Sequence, residues 1–366
     1  MKKQKEKMDK KQTVKLGLYG CGNRTRMLLE ALEGEGEHEV VSAYDIREES
    51  AKSLCEKFGG RVCRDADEML GAKGVEAVLI SLNPFAHAEA FFKTLKLKKP
   101  IFIEKPIAAN AGDAFRMMQS AKTEKVPVHV GLIHRYYPSY KAAKRHLEEN
   151  DPGVIFSMVY NWQHAGETEM INCHNMFPGN FRLNISQIPY HCCHALDLYH
   201  VFVGEIASVY AYGIKKLNRD YVSPDEVIAL FEFKNGAIGH FHYSSVCQGR
   251  ECAYPAFINT ENYTLSCNPS AYVARSRPPH KSMRGELKKE DCRATWFKHV
   301  GPVSHKYELN HYAMATAEIM KDFLESVRTG SPMKVPIEEG YRVAELAEAI
   351  ELSYKQGKKI DLPLKF

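Results

Sequence analysis

The stretch VKLGLYGCGNRTRMLLEALEG, Val14 to Gly34, decides the fold. It begins as a short apolar run rich in strand formers. It ends with Met27, Leu28, Leu29 and Leu32 at the spacing of a helix buried on one side. Between them, Gly20-Cys21-Gly22-Asn23-Arg24-Thr25 keeps the first two glycines of the G-x-G-x-x-G pattern. Gly20 permits the tight turn. Gly22 lets a pyrophosphate approach the backbone where Asn23 and Arg24 open the helix. Thr25 stands at the third glycine, a position that needs a small residue for close helix–strand packing.

Further strand candidates follow: VVSAYD (Val40–Asp45), AVLISL (Ala77–Leu82), PIFIEK (Pro100–Lys105) and VPVHVGLI (Val126–Ile133), with helical stretches between them. Such alternation predicts an α/β fold with a doubly wound parallel sheet. Asp45 closes the second strand 45 − 20 = 25 residues after Gly20. That is close to the spacing of about 20 at which an acidic residue bonds the adenosine ribose. Its charge favours NAD over NADP, whose 2′-phosphate it would repel; Arg47 nearby keeps NADP in play. Taken singly, the glycines could merely punctuate loops and Asp45 could cap a helix. Their joint order is what points to a dinucleotide.

The 366 residues are too many for one core and enough for two domains. The leader MKKQKEKMDKKQ carries six Lys against Glu6 and Asp9, so 6 − 2 = +4 of the net +5 lies there. A near-neutral body gives nucleic acid no electrostatic footprint. Residues 1–12 read as a disordered, solubilising tail. No apolar run approaches the ~20 residues that span a bilayer, and no signal-peptide core follows the leader. The ten cysteines are scattered, without a C-x-x-C pair. A cytoplasmic protein with reduced thiols is expected, with no membrane partner.

SLNPFAHAEA (Ser81–Ala90) and KKPIFIEKPIA (Lys98–Ala108) are more specific. Together they resemble the Gfo/Idh/MocA family of glucose–fructose oxidoreductase and inositol dehydrogenase relatives. Its members carry Asn-Pro-x-x-His, here Asn83, Pro84 and His87, and then Glu-Lys-Pro, here Glu104, Lys105 and Pro106. VPVHVGLIHRYYPSY, HALDLYHVFVG and the closing stretch from Asp322 are similar as well, so the resemblance spans nearly the whole chain after the leader. It implies that Ser81, Asn83, His87, Glu104 and Lys105 line the cofactor. It also implies a second domain with a large, mostly antiparallel open sheet, which commonly forms a homodimer or homotetramer contact. The domains are then expected at 13–133, for the Rossmann unit, and 134–366, with the last helix returning to the first unit. The strand-like stretches GVIFSMVYNW, ASVYAYGIKKL, DEVIALFEFKNGAIGHFHYSSV and AYPAFINTENYTLSC agree. Lys234–Gly236 reads as a hairpin turn, while Ile319, Phe323, Leu324 and Val327 repeat at helical spacing before Gly330.

Oxidising a carbinol leaves an O–H proton that a side chain must take. Lys105 ends a strand at the ligand-binding edge, where burial would lower its proton affinity. In the family this lysine bonds the reacting hydroxyl. QIPYHCCHALDLYH (Gln187–His200) supplies a second group. The family pattern Asp-x-Gly-x-His-x-x-Asp-Leu, with a glycine ten residues beyond the His, matches His194, Asp197, Leu198 and Gly204. His194 thereby takes the catalytic-histidine position. Tyr190 replaces the usual Asp and, one helical turn earlier, should face the same side as His194. It could bind substrate, join a proton relay or merely pack. His191 is a candidate substrate contact, and Arg135, Tyr136, Trp162 and Arg182 are further substrate-side candidates. A metal held by His191, His194, Cys173 and His174 lacks paired-ligand spacing, so none is expected.

The sequence thus predicts an NAD-dependent enzyme acting on a secondary hydroxyl of a sugar, polyol or glycoside. An NAD-dependent glycosidase working through transient oxidation competes with it. So does a non-catalytic NAD(H)-binding regulator, against which the retention of Lys105 and His194 argues.

Overall fold

Leu16, Leu18, Val78, Leu79, Ile80, Ile101, Phe102 and Ile103 are completely enclosed, although they come from three short strands. Strands this apolar on both faces need helices above and below, which is the condition of a parallel sheet. The computed structural model describes residues 13–163, 184–217, 222–247, 256–268, 271–276, 296–297 and 305–366. The first sheet contains β1 (Val14–Tyr19), β2 (His38–Tyr44), β3 (Arg61–Val62), β4 (Ala77–Ile80), β5 (Ile101–Ile103) and β6 (Val128–Val130). All pairings are parallel, in the order β3-β2-β1-β4-β5-β6. The helices between them are α1 (Asn23–Glu30), α2 (Glu48–Phe58), α3 (Ala66–Leu70), α4 (Pro84–Leu95) and α5 (Ala111–Glu124). The order reverses between β1 and β4, and the carboxyl edge at that switch point is the crevice where such sheets take ligands.

A 3-10 turn (Ile133–Tyr136) and α6 (Pro138–Glu149) lead into β7 (Ile155–Gln163). Then follow α7 (Gln187–Tyr190), α8 (Cys193–Phe202), β8 (Ile206–Ile214), β9 (Glu226–Phe233) and β10 (Ile238–Ser244). The chain continues through β11 (Ala256–Thr260), β12 (Tyr263–Asn268), β13 (Ala271–Ser276) and β14 (Trp296–Phe297), and through α9 (His305–Thr329), α10 (Ile337–Gln356) and β15 (Ile360–Asp361). The second sheet has nine strands in the order β14-β13-β12-β11-β7-β10-β9-β8-β15, with a two-residue strand at each end. Among the described residues, only β7 and β10 of this sheet run parallel; every other pair is antiparallel.

Alternation along β9 turns Val227, Ala229, Phe231 and Phe233 inward and leaves Ile228 and Leu230 exposed. One face of the large sheet is therefore covered and the other open. Lys234–Gly236 does turn the β9–β10 hairpin, with Gly236 at φ +86°. α9 ends at Thr329, before Gly330 at φ +70°. α10 bridges the two sheets: Glu348 accepts from Ala111 N–H at the start of α5, and Ser353 from Ala211 N–H on β8.

The strand ends differ from expectation where chemistry begins. β2 stops at Tyr44 and β5 at Ile103; Glu104 N–H still bonds the Ile80 carbonyl at 2.9 Å, and Asp45 and Lys105 follow just past the strands, on the crevice edge. Among the described residues no helix is long and apolar enough to cross a membrane.

Candidate active site

The nucleotide turn is built by backbone constraint. Gly20 has φ +96°, and a Cβ there would lie 2.2 Å from the Ser81 carbonyl oxygen, so only glycine fits. A Cβ on Gly22 would meet nothing within 4 Å, and α1 receives no side-chain cap. The first N–H groups of α1 thus open onto free space, the arrangement that receives an anion. Thr25 is fully buried and its hydroxyl donates to the Gly20 carbonyl at 2.7 Å, closing the turn that a third glycine would otherwise pack. Asp45 accepts from Cys21 N–H at 2.8 Å and from Arg47 N–H at 2.9 Å. Each oxygen keeps further acceptor capacity for ribose hydroxyls. Arg47 is half exposed, 3.9 Å from the same carboxylate, and Ile46 beside it is 90% exposed. Open helix end, acidic acceptor and apolar shelf together suit NAD.

Two expected cofactor residues also hold the frame. His87 is fully buried: Nε2 accepts from Leu82 N–H at 3.1 Å, which leaves Nδ1 to donate to the Pro106 carbonyl at 2.8 Å. It staples the β4–α4 turn to the Glu-Lys-Pro loop. Arg24 donates to Glu104 at 2.7 Å and to the Tyr312 hydroxyl at 2.8 Å, tying α1 to that loop and to α9. Asn83, exposed, caps α4 by accepting from Phe85 and Ala86 N–H. Asn23 lies exposed at the start of α1, and Ser81 N–H bonds the Tyr19 carbonyl.

Lys105 is half-buried rather than sealed in. Its ammonium donates to the Tyr190 carbonyl at 3.0 Å and sits 5.1 Å from the centre of the Tyr190 ring. The carbonyl is available because the expected continuous helix is broken. His191 and Cys192 N–H both converge on the Gln187 carbonyl, and α8 starts afresh at Cys193. In an unbroken helix the Tyr190 carbonyl would bond His194 N–H. Tyr190 therefore reaches the lysine through its main chain and ring face, on a segment separate from His194.

His194 is 8% exposed and lies flat on His134, which is 7% exposed, with ring centroids 4.2 Å apart and planes at 10°. Trp162 stacks on the far side of His134 at 5.7 Å. Nδ1 of both imidazoles is enclosed and, among the described residues, has no hydrogen-bond partner. Burial, then the His134, Lys105, Arg24 and His191 charges, holds His194 well below the ordinary histidine range. Burial, then Lys105, brings His134 down to about 3. Both rings are neutral near pH 7, and burial disfavours the charged form of each.

The substrate-side candidates divide. Arg135 is occupied by protein: it forks onto fully buried Asp197 at 2.6 and 2.5 Å and reaches Glu339 at 2.5 Å. Burial opposes the guanidinium's charge, but the two carboxylates hold it above its ordinary value. Tyr136 is buried against Asp322 of α9, and burial pushes its phenol up. Both residues brace the 3-10 turn. Trp162 is 4% exposed, with its ring stacked on His134. His191 is half-buried, with its ring 4.7 Å from that of Tyr190. Arg182 lies outside the described residues, as do Cys173 and His174. Among the described residues no three His, Cys, Asp or Glu are placed to hold a metal. His134 is the residue that the sequence did not single out. Its neighbourhood is purely tertiary, with no spacing signal to mark it.

Proteins that set such a nucleotide turn against an open sheet across one cleft form a class of two-domain oxidoreductases. The model of an oxidoreductase family's NAD-binding Rossmann fold matches residues 14–132, and that of its C-terminal α/β domain matches 186–362. The chain belongs to this Gfo/Idh/MocA family. Myo-inositol 2-dehydrogenase of Thermotoga maritima is 22% identical over 354 residues, covering 95% of this chain and 98% of the relative. Glucose-6-phosphate 3-dehydrogenase of Bacillus subtilis is 29% identical over 149 residues, 41% of this chain and 42% of that one. Among solved structures, levoglucosan dehydrogenase in complex with NADH superposes with a TM-score of 0.80 at 18% identity, covering 96% of this chain and 100% of that one. The WlbA dehydrogenase of Bordetella pertussis, in complex with NADH and UDP-GlcNAcA, gives a TM-score of 0.80 at 19% identity, covering 97% of this chain and 99% of that one. At such identities these structures share the fold.

Proposed function

We propose that the protein is an NAD-dependent dehydrogenase that oxidises a secondary hydroxyl of a sugar, polyol or glycoside. The observation that supports this is that the Lys105 charge bears on buried His194, beside an open helix end suited to a pyrophosphate. Gly20, Gly22, the first N–H groups of α1 and Asp45 would hold NAD, whose nicotinamide supplies the hydride acceptor. Lys105, presented from the end of β5 and steadied by the Tyr190 carbonyl, donates to the reacting oxygen and offsets the negative charge that grows on it. His194, neutral, takes the hydroxyl proton. The dehydrogenase names of the relatives above support this substrate class. Asp45, with one oxygen facing Arg47, supports NAD over NADP.

The test is a panel of myo-inositol, levoglucosan, glucose 6-phosphate and related sugars with NAD or NADP, following nicotinamide reduction. Lys105→Ala and His194→Ala should retain NAD binding and lose turnover by about two to four orders of magnitude. Full turnover in both variants would overturn the assignment. Free sugar released without net NADH would instead favour the glycosidase chemistry. A homo-oligomer packed through the open sheet face, where Tyr212, Leu230 and Ile238 are 54–70% exposed, is part of the same proposal. Light scattering after size exclusion measures it.

A further inference from the structure

We propose that His134 is a positioning residue: lying flat on His194, it fixes that imidazole's plane and keeps water from that face. The inference rests on the reading of His194 as proton acceptor, but its central geometry does not. The two rings are nearly parallel at 4.2 Å, too close to admit water between them. Trp162 closes the outer face of His134 at 5.7 Å, while Tyr137 and Tyr140 pack on its edge and face at 4.9 and 6.1 Å. Trp162, His134 and His194 thus form one ladder, anchored at its buried end by β7.

Face-to-face rings cannot hydrogen-bond each other, and Nδ1 of each imidazole is enclosed without a partner among the described residues. His194 therefore lacks the Nδ1 contact that usually fixes a catalytic imidazole's tautomer and orientation. The stack is what remains to orient it. The charged or titratable groups bearing on His194 come from every side: His134 from the 3-10 turn, Lys105 from the loop after β5, Arg24 from α1 and His191 from the α7–α8 turn. All of them disfavour a proton there, as does burial, which is the largest influence. Removing the His134 ring would admit water and undo that largest influence.

Three forms of the full-length protein decide the matter: wild type, His134→Ala and His134→Phe. Phe keeps an aromatic face but can neither titrate nor hydrogen-bond. Imidazole NMR of histidine-labelled protein, with His194→Gln as the assignment control, is read from pH 5 to 8. In wild type the His194 signal should stay neutral throughout. In His134→Ala it should titrate towards the ordinary midpoint of ~6.5. In His134→Phe it should stay neutral again.

With a substrate from the panel, His134→Ala should lower kcat about tenfold, change KM little and move the acid limb of kcat/KM upwards. His134→Phe should recover most of that loss. An unchanged His194 titration in His134→Ala, or equal defects in Ala and Phe, would overturn the proposal. A KM raised tenfold or more in both variants, with the neutral signal kept in Phe, would make His134 a substrate ligand, and would overturn it too. If wild type turns over nothing in the panel, the functional reading fails while the NMR comparison still decides this one.

Discussion

Replacing Asp197 by Ala removes the centre of the ion-pair clamp that joins the 3-10 turn, α8 and α10. Asp197 is fully buried and receives two charge-assisted bonds from Arg135, at 2.6 and 2.5 Å. Taking away one partner of a buried pair costs about 3–5 kcal/mol, chiefly because the other charge is stranded. Here Arg135 is 18% exposed and keeps Glu339 at 2.5 Å, so the lower end applies, about 3 kcal/mol. At a few degrees per kcal/mol that is a fall in Tm of roughly 6–9 °C. Asp197→Asn fills the same space and retains one acceptor, so about half the loss is expected. The effect should reach the site, because Arg135 adjoins His134 and Asp197 lies one turn beyond His194 on α8. Thermal unfolding followed by circular dichroism, alongside NAD binding by fluorescence, measures both consequences. A Tm for Asp197→Ala within 2 °C of wild type would refute the clamp as an organiser of this corner.

Acid should destabilise the fold through its buried histidines. Burial holds His129 and His134 at about 3 and His200 at about 4, below the unfolded value of ~6.5. The unfolded chain therefore binds protons first, and stability falls as pH drops below 6.5. The unfolded histidine is half protonated at pH 6.5, so between pH 6.5 and 5 each contributes about 1.6 kcal/mol, roughly 5 in all; a flat Tm from pH 7.5 to 5 would contradict this. Gly22→Ala should leave Tm within 2 °C, since its Cβ enters open space, yet weaken NAD binding at least tenfold by calorimetry. Gly20→Ala should instead destabilise by about 2–4 kcal/mol, because its Cβ collides with the Ser81 carbonyl; an unchanged denaturant midpoint would disprove that. Asp45→Ala should weaken NAD about tenfold and raise the relative affinity for NADP, read from paired titrations.

What could be read from the chain is what local constraint dictates. Buried parallel strands appear as apolar runs, and the turn from Gly20 to Thr25 carries its geometry in its own residues. The hairpin at Lys234–Gly236 and the stop at Gly330 are local in the same way. The roles of Arg135, Tyr136 and His87 were not legible, because each is set by a partner between 19 and 204 residues away. The break after Tyr190 was hidden for another reason. Apolar residues continue through Ile188, Cys192, Cys193 and Ala195, so periodicity alone extends a single helix across it. His134 was invisible because a ring stack between distant segments leaves no spacing in the sequence.

That break has a consequence for how this pocket can vary over evolutionary time. The acceptor that steadies Lys105 is a peptide oxygen, which every residue at position 190 carries. A lineage can therefore exchange the side chain there, whether carboxylate, phenol or something smaller, without unseating the lysine. Position 190 is released to answer to the substrate, and a tyrosine where the family pattern leads one to expect an aspartate is the kind of change this freedom permits.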